Sequence, residues 1–527
     1  MPFYLVAAAL CLVLGTNVAH AQDPPPIHLE GTVPDGPETH FFREFEVPEG
    51  IVEIEVQHDD PSSENILDWG LDDPNGFRGW GGGNREPAIV GVQAASRSYV
   101  PGPIPTGTWE VVVGKARIVE TPALYEVDII RRTVATLPPQ PRAPYEDPGV
   151  LDTEARWYAG DFHVHSRQSG DARPTIGETL DFAQEVGLDF IMLSEHNTNS
   201  GLTLYGSVQP DHPEVLIIPG VEWSTYSGHA NALGATEWVD HKVGVRGVTA
   251  DGAIQAYNAQ GAIFSPTHPT EPSWEFCIGC LWEFEVDPTN FGGVEQTGIW
   301  RGSEAIGFWE NACEAGSHAA VLGGSDDHDA GQNASEISEP MGTPTTMVFA
   351  EQLSVDAILD GVRSGRTVVK MEGIEGPMLE TQLTGERIGD TVFADTATLS
   401  VVVTHGMGTT LQIIKNGALV GSATVNSDPF THEMSVEAPA EGEDRYRHQL
   451  VSGIDVRTIG SYVWLRAPIE APDGGVPDGG MPDGGTDPGG SSSGCSCRIA
   501  GAPDYDTGFF LTVLAFGAWY WRRRRAS

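Results

Sequence analysis

Positive charge is what this chain has least of. Its 527 residues carry 29 Lys and Arg against 74 Asp and Glu, a formal net charge of −45. A surface that acidic repels phosphate backbones, which argues against binding to duplex nucleic acid. A small phosphorylated substrate stays open, because bound cations set their own local potential. Cysteine is scarce as well, six in all. Cys11, Cys495 and Cys497 fall in the terminal segments, which leaves Cys277, Cys280 and Cys313 for the folded part. In an exported chain Cys277-x-x-Cys280 is expected to close a local disulfide, with Cys313 left free or competing for one partner; a zinc site is the alternative, and it would want a fourth ligand. Long apolar runs are missing too. The two present, residues 5–14 and 507–521, fall short of the ~20 residues that span a bilayer comfortably.

Both ends read as targeting segments. Residues 5–14 lead to Ala19-His20-Ala21, a small-x-small cleavage pattern, although no Lys or Arg precedes the run. Residues 1–21 are therefore expected to be a signal peptide, cleaved after Ala21. Residues 471–494 repeat Pro-Asp-Gly-Gly, a composition that packs no core and serves as a tether. Gly494-Cys495-Ser496-Cys497, the apolar stretch with Trp519, Tyr520 and Trp521, and Arg522 to Arg525 follow. The arginines fix that end in the cytoplasm by the positive-inside rule. Residues 495–527 resemble the MYXO-CTERM sorting tail of myxobacteria. The resemblance implies an exported protein held at the cell surface or outer envelope, or released, with processing near Cys495. A plain membrane anchor is the alternative, and either places residues 22–470 outside the cytoplasm.

Residues 27–135 show strand alternation, as in Ile51-Val52-Glu53-Ile54-Glu55-Val56, between Gly, Pro and Asp turns, and a small β-sandwich is expected. A proline-rich linker, 136–152, leads to a central region, 153–375, of a different kind. There Ile176, Leu180, Ala183 and Val186 keep helical spacing before Phe190-Ile191-Met192-Leu193, and the alternation of helix and short apolar strand recurs. That pattern predicts a parallel sheet closed as a barrel. Residues 376–470 return to short strands, a second small β domain. Trp69 and Trp80 offer a ligand or glycan groove in the first β domain, with core or turn packing the commoner role for such residues.

The chemistry lies in the centre. Gly160-Asp161-Phe162-His163-Val164-His165-Ser166 is answered far downstream by Gly324-Ser325-Asp326-Asp327-His328. His-x-His puts two imidazoles on one face of an extended strand, and Asp-x-His adds a carboxylate and a third imidazole. Such donors suit zinc, manganese or iron. Of 16 histidines, nine fall between residues 163 and 328, a concentration that points to a metallohydrolase. His196, Glu222, His268 and Asp326 each follow an expected strand by three or four residues, the face where barrel enzymes build their sites.

The segments His163-x-His165, Ser194-Glu195-His196-Asn197, Pro219-Gly220-Val221-Glu222, Ser265-Pro266-Thr267-His268-Pro269 and Gly324-Ser325-Asp326-Asp327-His328 resemble the PHP (polymerase and histidinol phosphatase) metallohydrolases. Met341-Gly342-Thr343-Pro344-Thr345-Thr346 and Ser364-Gly365-Arg366-Thr367 are similar to its CehA/McbA branch. The resemblance covers about residues 157–465. It implies a distorted seven-stranded (β/α) barrel, here flanked by two small β-sandwich-like domains. It also implies two or three divalent metals: His163, His165, Glu222 and Asp326 on one, Glu222 bridging to a second on His229 and His268, and Asp171, His196 and His328 on a third. Glu222, Asp326 and His328 are the expected catalytic residues, around water acidified toward pKa ~7. Glu195 departs from the family, which more often has Asp there. Asp161 and Asn197 are expected to orient metal-bound histidines. His212, His241 and His318 are given no role, and Arg167, Arg173 and Arg366 meet an anionic substrate only if they are not simply solvated. The implied activity is hydrolysis of a small phosphate ester. The alternatives are a carbamate, amide or carboxyl ester, or a non-catalytic surface binding protein.

Overall fold

A computed structural model describes residues 22–274, 277–296, 303–332 and 339–468. The expected signal segment, tether and sorting tail lie outside the described residues. The described residues fall in one compact unit. No helix among the described residues is long and apolar enough to cross a membrane.

The N-terminal strands form two antiparallel four-stranded sheets. Leu124–Arg132 lies between Ile27–Thr32 and Glu53–Asp59, with Ala88–Gly91 on the outer edge. Gly107–Arg117 lies between His40–Val47 and Ile66–Asp73, with Gly76–Gly82 outermost. Alternate residues face inward, so Ile54, Val56, Leu71, Trp109, Val111, Val127 and Ile129 bury one core between the sheets, as the period-two pattern requires. Trp69 belongs to that core.

In the central region Arg156–Val164, Phe190–Leu193 and Leu216–Thr225 pair in parallel. The Phe190 ring lies where a side chain at 160 would stand, so only Gly160 lets the first two strands approach. The helix Ile176–Glu185 connects them. Thr175 caps it, its hydroxyl accepting from the Glu178 N–H while the Glu178 carboxylate accepts from the Thr175 N–H at 2.8 Å. Ile176, Leu180 and Ala183 are buried along one face; truncating Leu180, fully buried, to alanine costs about 2–5 kcal/mol.

The implied seven-stranded (β/α) barrel is not what the pairing shows. Leu216–Thr225 continues past the expected strand end and turns straight back into Gly228–Leu233, which pairs antiparallel with it and with Ile263–Pro266. Gly228, at φ +142°, permits that tight return, so a hairpin precedes the expected helix, observed at Ala250–Ala259, and the strand after it pairs antiparallel. Glu222 therefore sits within a strand rather than after one, and His229 lies on the returning strand. Gly293–Gln296 and Ala320–Gly323 form a separate parallel pair. Thr345–Ala350 runs antiparallel to Arg156–Val164. The described residues are rich in sheet, with helices at Ile176–Glu185, Tyr205–Val208, Ala250–Ala259, Ser303–Glu314 and Val355–Arg363.

The C-terminal strands are not set apart. Thr367–Lys370 pairs with Asp455–Gly460, and the ladder continues through Asp444–Ser452 and Thr410–Lys415, so one 13-stranded sheet runs from the central region into the last. Its partner there is a four-stranded sheet holding Met378–Leu383, Thr396–Thr404 and Phe430–Glu437.

Candidate metal centre

The backbone itself brings the distant segments together. The His165 N–H donates to the Asp327 carbonyl at 3.0 Å and the Asp326 N–H to the His163 carbonyl at 2.9 Å. The Asn197 N–H donates to the Glu222 carbonyl at 2.9 Å and the Glu222 N–H returns to Glu195 at 3.2 Å. Asn197, His268 and Asp326 hold positive φ, +51°, +31° and +57°. Three side chains bent into the left-handed region at one site mark strain that the surrounding structure sustains.

All nine expected ligands converge. His163, His165, Glu222 and Asp326 offer one donor atom each within 4.8 Å of one another, and so do His165, His196 and His328. Asp171 joins the second group, its carboxylate 3.3 Å from His196 Nε2 and 3.4 Å from His328 Nε2. Glu222 stands between two sets. One oxygen, Oε2, faces His163 Nε2 at 3.4 Å, His165 Nε2 at 3.5 Å and His196 Nδ1 at 2.7 Å. The other, Oε1, faces His229 Nδ1 at 3.0 Å and His268 Nε2 at 3.4 Å. Asp326 Oδ1 lies 3.1 Å from His163 Nε2 and 3.0 Å from His165 Nε2.

The donor set fits cations. His163 Nε2, His165 Nε2, Glu222 Oε2 and Asp326 Oδ1 are buried and make no hydrogen bond, although they point at one another. Buried polar atoms left without partners are costly, and a divalent cation satisfies all four at once. The ring nitrogens turned away from the centre are held. His163 Nδ1 meets Glu295 Oε2 at 2.9 Å, His165 Nδ1 meets Ser169 Oγ at 2.9 Å, and His328 Nδ1 meets the Asp326 carbonyl at 2.8 Å. Such partners fix the tautomer and leave Nε2 free to ligate.

Protonation follows from burial and neighbouring charge. Burial and the imidazoles of His328 and His196 push His165 down to about 3, which keeps it neutral as a ligand must be. Burial opposes charge on His163 and His196 too, but the carboxylates beside them outweigh it and hold both well above the usual histidine range. Burial likewise opposes charge on His328, yet Asp171 carries it up to about 9. Glu222 and Asp326 stay well below the carboxylate range despite burial, through the same imidazoles. Without a cation, protons do part of the cation's work.

Neither Asp161 nor Asn197 touches a ligand ring. Asp161, raised to about 6 by burial, accepts from the His163, Ser325 and Gly342 N–H groups. Asn197 brackets Ser224, accepting from its N–H and donating to its carbonyl. Both position backbone. Glu195 does the same, accepting from the Ser166 hydroxyl and N–H, and burial raises it to about 8. The ring orienter that sequence reasoning missed is Glu295, which also accepts from Asn231 Nδ2 at 3.3 Å and the His268 N–H at 3.3 Å. Its signal was a single acidic residue within an otherwise uncharged four-residue buried strand.

The cavity over the cluster, about 460 Å³, has a wall from the N-terminal sandwich: His40, Asp68, Trp80 and the glycines at 81–83 face His196, Glu222, His268, Asp326 and His328. Asp68, raised to about 6 by burial, accepts from the Tyr226 hydroxyl at 2.7 Å. His40 stacks on Tyr226, and Trp80 meets His241 edge-on. His241, given no role from sequence, is buried in this wall with both ring nitrogens unpartnered. Among the described residues no lysine or arginine lines the cavity. Arg173 is exposed beside Asp329 and Arg366 faces Asp390; Arg167 is exposed. None of the three lines the cavity. Trp69 packs in the sandwich core, whereas Trp80 lines this cavity.

No family model matches this chain, and no curated protein does. Among solved structures it is similar to a two-domain protein containing a predicted PHP-like metal-dependent phosphoesterase from Bacteroides vulgatus. That similarity has 18% identity, covers 62% of this chain and 99% of the other, and has a TM-score of 0.35. A candidate metal-dependent phosphoesterase from Bifidobacterium adolescentis matches at 14% identity over 34% of this chain and 91% of the other, TM-score 0.26. Both scores are too low to establish a shared fold, so the site's chemistry must be read from its own residues.

Proposed function

We propose that this chain is an exported, multinuclear metal-dependent hydrolase of the PHP type, acting on small phosphate esters. The observation that carries the reading is Glu222, fully buried, with each carboxylate oxygen turned to a different group of histidines. A shared carboxylate offsets the repulsion between two cations held close together. His163, His165 and Asp326 would hold one zinc, manganese or iron ion, His229 and His268 a second, and Asp171, His196 and His328 a third. Bound there, the cations would acidify water and polarise the ester oxygen. The protein's own groups do the rest. Glu295 and Ser169 fix the tautomers of His163 and His165. Asp68 and Tyr226, on the cavity wall, are placed to hold or give the leaving group's proton.

The cavity lining favours substrates of low charge. Among the described residues the lining carries no cationic side chain and an extra carboxylate at Asp68, which supports a singly charged phosphodiester over a doubly charged monoester. The same observation supports a second reading, hydrolysis of a neutral carbamate, amide or carboxyl ester with an apolar group against Trp80 and Tyr226. A panel of aryl phosphodiesters, phosphomonoesters, carbamates and esters, assayed with manganese or zinc, decides between them. Diester hydrolysis is expected; turnover of carbamate or ester alone would install the second reading. No turnover with metal bound would favour a binding protein. The signal segment and sorting tail support export, and removing residues 495–527 is expected to convert attached protein into freely secreted protein of unchanged activity. Full-length chain recovered from the cytoplasm would refute that.

A further inference from the structure

Cys277 and Cys280 are joined by a disulfide, as expected from sequence, and Cys313 is free and buried. What the sequence did not show is where the pair sits. Its loop is strapped between the two segments that carry His229 and His268. The Trp282 N–H donates to the Pro269 carbonyl at 3.1 Å, and the Glu283 N–H to the Ser227 carbonyl at 2.9 Å. Gly279, at φ +84°, presses so close to Thr225 and Tyr226 that a Cβ there would lie 2.3 Å from the Thr225 carbonyl oxygen. The Ile278 carbonyl reaches His229 Nε2 at 3.2 Å. Cys277 lines the cavity and Cys280 is fully buried.

The result is a second donor set. His229, His268, Cys277 and Cys280 each offer one ligand atom within 4.8 Å of the other three. His268 is 3% exposed, and its Nδ1 is buried without a partner. Two thiolates at C-x-x-C spacing with two imidazoles are a common tetrahedral zinc set, with Zn–S about 2.3 Å and Zn–N about 2.0 Å, a size that small shifts of these atoms reach. We propose that Cys277 and Cys280 are metal ligands held in reserve, whose thiolates complete a four-coordinate zinc site with His229 and His268 once the bond between them is reduced.

The chemistry balances with a dithiol as reductant. It delivers two electrons and two protons, the Cys277–Cys280 S–S bond breaks to two thiols, and the reductant leaves as its own disulfide. Each thiol then loses its proton to solvent as it binds the cation. The inference rests on the reading of His229 and His268 as metal ligands. With the disulfide closed, a cation on those histidines and Glu222 keeps open positions for water and substrate. With it open, all four positions are filled, the condition of a structural rather than a catalytic site.

The test uses the full chain with cobalt(II) as the probe for zinc, oxidised and after reduction by a dithiol, in the absence of air. Reduction is expected to bring up a thiolate-to-cobalt charge-transfer band and to abolish hydrolysis, and reoxidation to reverse both. The Cys277→Ser/Cys280→Ser variant keeps every other cysteine. It should bind cobalt without the band, and its activity should ignore the reductant. Cobalt bound to reduced protein without a band, or a band that survives in the double variant, would overturn the proposal and leave a plain structural disulfide. Protein that takes up no cobalt in either state would overturn the metal-centre reading as well, which separates the two failures.

Discussion

Replacing Glu295 by glutamine tests the centre without touching a ligand. The residue is 2% exposed, and its side-chain oxygens serve three partners. Asn231 Nδ2 and the His268 N–H are donors, and His163 Nδ1 must be one if its Nε2 is to ligate. A carboxylate accepts from all three. A glutamine amide offers one accepting oxygen and an NH₂ group that meets donors head-on. If the oxygen turns to His163, the His268 N–H is left buried without an acceptor, at about 1–3 kcal/mol. If the NH₂ turns to His163, it selects the tautomer with its proton on Nε2, the atom that should bind the cation. Either way metal binding should weaken about 10- to 100-fold, the range for partners that orient metal-bound histidines, or about 1.4–2.7 kcal/mol. Competition against a chromophoric chelator reads the affinity, thermal unfolding confirms a folded variant, and hydrolysis should fall in parallel. A folded Glu295→Gln protein with unchanged affinity would refute the assignment of Glu295 as the group that sets the His163 ring.

Four further outcomes are expected. His163→Ala should lose bound metal and activity together, read by elemental analysis. His318→Ala should lose neither, because that ring stacks on Trp464 and pairs with Glu443 at the surface. Metal affinity should rise with pH across the neutral range up to about 9, with proton release on binding. His163, His196 and His328 have raised affinity for protons in the metal-free protein, His328 titrating near 9, so protons compete with the cation below that value; calorimetry in buffers of different ionisation enthalpy measures the protons released, and a pH-independent affinity would contradict it. Trp80→Ala should leave metal content intact and change KM and the order of preference among substrates, checked on the same panel; an unaltered preference would remove the N-terminal wall from substrate selection.

Most candidate ligands were legible because they are marked locally, whereas Asp171 and His229 rested on the family resemblance. His163-x-His165 and Asp326-x-His328 announce themselves by spacing, and strand periodicity put their neighbours at one end of a sheet. Glu222 was expected just after a strand and lies within one. The apolar run ends near Ile218, and nothing in the pattern shows that the strand continues to Thr225 and folds back at Gly228. Barrel closure was read from alternating helices and strands, a local signal silent about which strands finally pair. The continuation of the sheet from Thr367–Lys370 into Asp455–Gly460 joins residues some ninety positions apart, and no periodicity encodes it. The cavity wall was illegible for a related reason. Trp80, Asp68 and His40 look like ordinary residues of a sandwich, and they gain chemical meaning only from His196 and Tyr226, which belong to another part of the chain.

That wall has a consequence for how such a protein can change over generations. Every expected metal ligand comes from the central region, whereas much of the rim that a substrate must pass comes from one edge of the N-terminal sandwich, around Trp80 and the glycines at 81–83. On the proposed hydrolase reading, bond-breaking power and substrate choice are thus written in separate stretches of sequence. Substitutions along that edge would then redirect such a hydrolase to new molecules while the candidate ligand set stays intact, and recombination that exchanges the N-terminal sandwich would move a selectivity module as one piece.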